Sequence, residues 1–110
     1  MAARISKTTW WVYLVRCADS SLYCGITSDL MRRVGEHNAS PKAARYTRSR
    51  RPISLVWFTT HLTRSAALKR EYKIKHLARR EKEKLVAAMS VSKIRKAKVS
   101  ETSSKNKSKK

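Results

Sequence analysis

Acidic residues are scarce in this chain of 110 residues: seven Asp and Glu stand against 27 Lys and Arg, a formal net charge of +20. Glycine, proline and cysteine occur only twice each, and phenylalanine once. No apolar run approaches the roughly 20 residues that a membrane span needs, and Met1-Ala-Ala-Arg4 opens without the apolar stretch of a signal peptide. An integral membrane protein and an exported protein are therefore not expected. The expected location is the cytoplasm, with association to the nucleoid as an alternative. Cys17 and Cys24 make no Cys-x-x-Cys pair, and His37, His61 and His76 are scattered, which speaks against a zinc site of standard spacing. Two cysteines in a reducing compartment are expected as free thiols, with no disulfide between them.

So large a positive excess repels itself unless an anionic partner is near, and nucleic acid is the usual partner, ahead of an anionic membrane surface. The charge is uneven. Residues 89–110 carry eight basic groups and only Glu101, few apolar residues and no aromatic ring. Such a segment cannot bury enough surface to offset chain entropy, so it reads as a disordered basic tail. Residues 1–8 read as an N-terminal extension and 9–88 as one domain. The hydrophobic fraction of 41% suffices for a core.

Trp10–Arg16 and Leu22–Thr27 are rich in β-branched and aromatic residues and predict a hairpin about the turn Ala18-Asp-Ser-Ser21. Ser28 or Asp29 is positioned to cap a helix ending near His37 or Asn38. Residues 41–52 form a long basic connection. Ile53–Thr60 predicts a third strand, a helix from Thr63 or Arg64 runs to about Leu77, and Arg79–Ala88 predicts another. Three strands and three helices in the order ββαβαα make a small α+β domain.

Several polar residues sit at informative places. On the first helix Leu30 and Val34 mark the buried stripe, and Arg33 and His37, also four apart, stand one step round from it. On the second helix Ala67, Ile74 and Ala78 share a stripe with Glu71, the sole acid between Ala39 and Arg80. A carboxylate on an apolar face must be paired, hydrogen-bonded or metal-bound. A salt bridge to Lys75, four residues on, is one solution; a divalent cation beside a phosphate is the other. If the hairpin loop has an odd residue count, Tyr13 opposes Gly25 and Tyr23 lies diagonally across on the same face. A glycine inside a strand suggests close approach of another backbone or a ligand.

Assembled, these residues resemble the GIY-YIG endonuclease superfamily, and most closely its small single-domain YhbQ-like (UPF0213) group. The two half-motifs stand here as Trp11-Val12-Tyr13 and Tyr23-Cys24-Gly25, with Trp-Val in place of Gly-Ile and Cys in place of Ile. Arg33 falls at the position of the family's arginine, His37 at that of its His or Tyr, and Glu71 at that of its metal-binding glutamate. Arg45-Tyr-Thr-Arg-Ser-Arg-Arg-Pro52 is similar to a loop typical of the YhbQ-like group. The resemblance spans about residues 9–88.

The resemblance implies a three-stranded antiparallel sheet flanked by helices and hydrolysis of DNA phosphodiester bonds with one Mg²⁺ or Mn²⁺ ion. It implies catalytic roles for Tyr13, Tyr23, Arg33 and His37, with Glu71 holding the metal. Arg33 suits a non-bridging phosphate oxygen, because its planar fork offers paired donors. Either tyrosine could orient or deprotonate the attacking water, and the sequence leaves the two open. All five side chains are expected on one concave face. Lys42, Arg45, Arg48, Arg50 and Arg51, with Tyr46, are expected to contact the nucleic acid, mostly through phosphates, which position rather than specify. A structure preference, for branched or single-stranded DNA, and a place in repair or recombination are the corresponding expectations. The alternatives are a basic nucleic-acid-binding protein without catalysis, in which Glu71 is merely salt-bridged, and a small ribosome-associated protein.

Overall fold

A computed structural model describes residues 8–97. The chain runs β1 (Trp10–Arg16), β2 (Leu22–Thr27), α1 (Leu30–Ala39), α2 (Arg45–Arg48), β3 (Ser54–His61), α3 (Arg64–Lys75) and α4 (Arg79–Ala88). It is an α+β fold around one antiparallel sheet of order β2-β1-β3. The continuous apolar run of β1 is what a central strand covered on both faces requires, and Val12, Tyr13, Leu14 and Val15 are all buried.

Alternation along β1 separates two cores. On one face Tyr13 and Val15 pack with Leu30 and Val34 of α1 and with Ile53, Leu55 and Phe58. On the other, Val12, Leu14, Cys24 and Trp57 meet Ala67 and Ile74 of α3, with Leu85 and Val86 of α4 packed alongside. An irregularity between Leu14 and Val15 makes β3 advance one extra residue against β1.

Local signals set the helix starts. Asp29 caps α1 by accepting from the Arg32 N–H at 3.3 Å, and Thr63 caps α3 by accepting from Ala66 N–H at 3.1 Å. Arg16, at the end of β1, donates through Nη1 and Nη2 to the two carboxylate oxygens of Glu83 at 2.7 and 2.8 Å, tying the sheet to α4. Cys17 and Cys24 are buried free thiols.

Two stretches depart from the sequence reading. The connection 41–52 contains α2, a single turn with no side-chain cap. The segment 89–110, expected to be a disordered tail, is in part structured: residues 91–97 are helical, and Ile94 and Ala97 pack on the α1-side core. Ser90 supports that turn by accepting the Lys93 N–H on its hydroxyl at 3.0 Å. Two apolar side chains on one helical face, Ile94 and Ala97, suffice when a formed core awaits them. Residues 98–110 of that segment, and 1–7 of the N-terminal extension, lie outside the described residues.

Candidate active site

The hairpin loop has five residues, so β1 and β2 pair with Tyr13 opposite Gly25 and Leu14 opposite Cys24. Tyr13 and Tyr23 therefore share the face that α1 covers. The close approach at Gly25 is made by Tyr13 itself, whose ring and hydroxyl occupy the space a side chain at position 25 would fill.

A chain of buried hydrogen bonds starts at that hydroxyl. Tyr13 Oη lies 2.8 Å from His37 Nε2, and His37 Nδ1 lies 2.8 Å from Thr47 Oγ1. The Thr47 hydroxyl lies 3.0 Å from the Ala44 carbonyl oxygen and donates to it. Tyr13, His37 and Thr47 are each at most 1% exposed. Burial, reinforced by the Arg33 guanidinium, pushes the His37 imidazole down to about 4, so it is neutral at pH 7. Burial likewise pushes the Tyr13 phenol well above its ordinary value, with Arg33 opposing the shift. Tyr13 is thus a protonated hydrogen-bonding group rather than a phenolate.

Tyr23 stands next to this chain, half-buried. Its ring meets His37 edge-on with centroids 5.5 Å apart and stacks on Tyr46 at 5.7 Å. The Arg50 guanidinium covers the Tyr46 ring at 3.9 Å. A column of His37, Tyr23, Tyr46 and Arg50 so leads from the core to the surface.

Arg33 lies one turn before His37. Its Nη1 donates to Glu36 Oε1 at 2.8 Å and to the Lys42 carbonyl at 3.0 Å. Glu36, which also pairs with Arg32, orients Arg33 without neutralising the neighbourhood.

Glu71 approaches from elsewhere. It lies on α3, whose buried residues Ala67 and Ile74 pack on the opposite face of the sheet. Its Oε2 pairs with Lys75 Nζ at 3.4 Å. It is close enough to Cys24 for its charge to help burial push that thiol up to about 12. Among the described residues no hydrogen bond, ion pair or ring contact joins it to Tyr13, Tyr23, Arg33 or His37, and no group of three or more His, Cys, Asp and Glu is placed to hold a metal. Four of the five residues expected on one face share it; the fifth stands across the edge strand β2. Tyr23 points to one side of that strand and Cys24, beside Glu71, to the other.

The basic segment divides by role. Arg51 bonds the carbonyls of His37 at 2.7 Å and Ser40 at 2.6 Å, closing the C-terminal end of α1. Arg50 is held by Asp19 at 3.0 Å. Lys42, Arg45 and Arg48 are exposed, as is Tyr46 at 38%. Two contributors were not singled out from the sequence: Thr47, inside a stretch noted for its cations, and Glu36, whose spacing of three from Arg33 was a readable signal.

Residues 9–85 match the family model described as the GIY-YIG catalytic domain. A UPF0213 protein of Desulfotalea psychrophila is 55% identical over 82 residues, 74% of either chain. One of Haloquadratum walsbyi is 53% identical over 75 residues, 68% of this chain and 83% of its own. One of Staphylococcus epidermidis is 49% identical over 76 residues, 69% and 92% of the two chains. The solution NMR structure of a UPF0213 protein from Bacillus halodurans superposes with a TM-score of 0.48 at 44% identity, covering 72% of this chain and 83% of that one. Among the described residues no helix is long and apolar enough to cross a membrane.

Proposed function

The chain belongs to the GIY-YIG catalytic-domain family and to its UPF0213 group, and from that premise we propose that it is a divalent-metal-dependent endonuclease. Membership carries the coarser statement, a nuclease-type hydrolase domain whose substrate is nucleic acid. The proposal adds DNA as the polymer, a preference for branched or single-stranded forms, a role in repair or recombination, and a cytoplasmic, nucleoid-associated place of action. The observation that carries it is the buried Tyr13–His37–Thr47 chain beside Arg33 and Tyr23.

In this reading Arg33 binds a non-bridging phosphate oxygen. Glu36 and the Lys42 carbonyl hold it by Nη1, which leaves other donors of the fork for the anion. Tyr23, less buried than Tyr13, orients the attacking water. Tyr13 stays protonated and His37 neutral, so both act by position, not by charge. Lys42, Arg45 and Arg48 contact phosphates, and Tyr46 lines the approach to Tyr23.

Glu71 is a single carboxylate, 17% exposed, with one oxygen turned to Lys75. Mg²⁺ and Mn²⁺ keep most of their waters and are held through one or two carboxylates, so this donor suits such an ion. The ion would supply positive charge for the departing 3′-oxygen. The exposed cations Lys42, Arg45 and Arg48 suit phosphates, which position without specifying sequence, and this favours a structure preference over a sequence preference.

The test is cleavage of branched, single-stranded and duplex DNA with Mg²⁺ or Mn²⁺ by the wild type, Arg33→Ala and Glu71→Ala. Cleavage by the wild type, lost in both variants with DNA binding retained, is expected. Binding without cleavage on every substrate favours the second reading, a non-catalytic nucleic-acid-binding protein, to which the Glu71–Lys75 pair lends support.

A further inference from the structure

We propose that Thr47 is a positioning residue that fixes the tautomer of His37 and thereby makes the Tyr13 oxygen a hydrogen-bond acceptor toward Arg33. The inference extends the endonuclease reading but rests on geometry that stands without it.

The argument is an accounting of donors. The Thr47 hydroxyl has one hydrogen, and the Ala44 carbonyl, 3.0 Å away, can only accept it. Thr47 Oγ1 must then accept from its other neighbour, His37 Nδ1 at 2.8 Å. A neutral imidazole carries one hydrogen, so Nε2 is left bare and accepts from Tyr13 Oη at 2.8 Å. The phenol has spent its only hydrogen on His37, so toward any other neighbour its oxygen can only accept.

That polarity matters because a guanidinium has donors and no acceptor. Arg33 lies where its charge acts on the Tyr13 oxygen and on His37. With the opposite tautomer, His37 would donate from Nε2 and the Tyr13 hydrogen would be turned toward the Arg33 cation. Thr47, three residues after Ala44 and fully buried, thus governs the arginine through two intermediates without touching it. The short helix α2 gains a reason to exist: it delivers the Thr47 hydroxyl to His37 Nδ1, with the carbonyl of its N-cap residue Ala44 taking that hydroxyl's hydrogen.

Long-range ¹H–¹⁵N NMR of the His37 ring in the full-length protein at pH 7 tests this, with cleavage measured in parallel. The wild type is expected to show hydrogen on Nδ1 and none on Nε2. Thr47→Val, close in shape but without the hydroxyl, is expected to shift the hydrogen toward Nε2 and lower cleavage about tenfold. Thr47→Ser is expected to restore both. Hydrogen on Nε2 in the wild type overturns the proposal and needs no variant to fold; so does an unchanged tautomer in Thr47→Val. Should the wild type cut no DNA, the endonuclease reading fails while the ring signals still decide the role of Thr47.

Discussion

Tyr13 and Gly25 face each other across β1 and β2, and the Tyr13 ring fills the place of the side chain that Gly25 lacks. A β-carbon at position 25 would lie 2.7 Å from Tyr13 Cζ and closer still to the hydroxyl. The ring is buried and bonded to His37, so it has nowhere to retreat. Gly25→Ala is expected to cost about 1–3 kcal/mol of stability by overpacking and to abolish cleavage by breaking the Tyr13–His37 bond. Gly35, on the exposed side of α1, has nothing within 4 Å of such a carbon. Gly35→Ala is expected to stabilise by about 0.5–1 kcal/mol through helix propensity. Denaturant unfolding of both variants checks the opposite signs; equal effects would refute the contact.

The buried imidazole gives the fold a pH dependence of definite sign. His37 titrates near 6.5 when unfolded and is pushed down to about 4 when folded. Between these values the unfolded chain binds the proton and the folded one does not, so stability is full above about 6.5 and falls as pH drops toward 4. The loss is on the order of 3 kcal/mol. Glu83, held down to about 2 by its bonds to Arg16, loses its contribution only below about 4.5, as pH falls toward 2. Urea unfolding of the wild type and His37→Gln between pH 7 and 2 separates the two. The variant is expected to lack the upper slope and keep the lower; parallel curves would show that His37 is not the titrating group.

How much of this was legible depended on whether local or distant partners decide a residue's state. The hairpin register followed from loop parity, and Asp29 and Thr63 are caps because their own next turns need acceptors. Period placed Tyr13 and Tyr23 on one face on condition of an odd loop, which the five-residue loop meets, whereas it was the family resemblance, not spacing, that brought Arg33 to them. The turn α2 was not legible: it has no cap, and Thr47 is buried against a histidine ten residues away. Nor was the anchoring of residues 91–97 by Ile94 and Ala97, which requires the core to exist first. Glu71 read as an exception in a basic span, but spacing along one helix cannot tell which face of the sheet that helix covers. Counting cations made Arg51 a phosphate ligand by composition; the carbonyls it serves come from α1.

That last distinction is measurable. Arg51→Ala is expected to cost about 1 kcal/mol of stability or more, because part-buried carbonyls at the C-terminal end of α1 lose their donor. Lys42→Ala, Arg45→Ala and Arg48→Ala, at exposed positions, are each expected to leave stability within about 0.5 kcal/mol. Combined, those three are expected to lower the salt dependence of duplex binding, with the log–log slope reduced by up to about 2.7. Equal stability losses from all four substitutions, or an unchanged salt slope in the triple variant, would contradict this division.

The two tyrosines should respond differently to loss of a single oxygen. Tyr13→Phe removes the donor to His37 Nε2 and leaves a buried acceptor unsatisfied. The expected cost is about 1–3 kcal/mol, with cleavage impaired through misplaced Arg33. The Tyr23 hydroxyl has no hydrogen bond to the protein among the described residues, and its ring alone contacts His37 and Tyr46. Tyr23→Phe keeps those ring contacts and is expected to change stability by less than about 0.5 kcal/mol. If Tyr23 orients the water, its loss lowers the maximal cleavage rate at least tenfold with DNA affinity unchanged. Unfolding midpoints and single-turnover cleavage of the two variants decide it. A Tyr23→Phe protein that cuts at the wild-type rate, beside a Tyr13→Phe protein that is stable but inactive, would transfer the water to Tyr13.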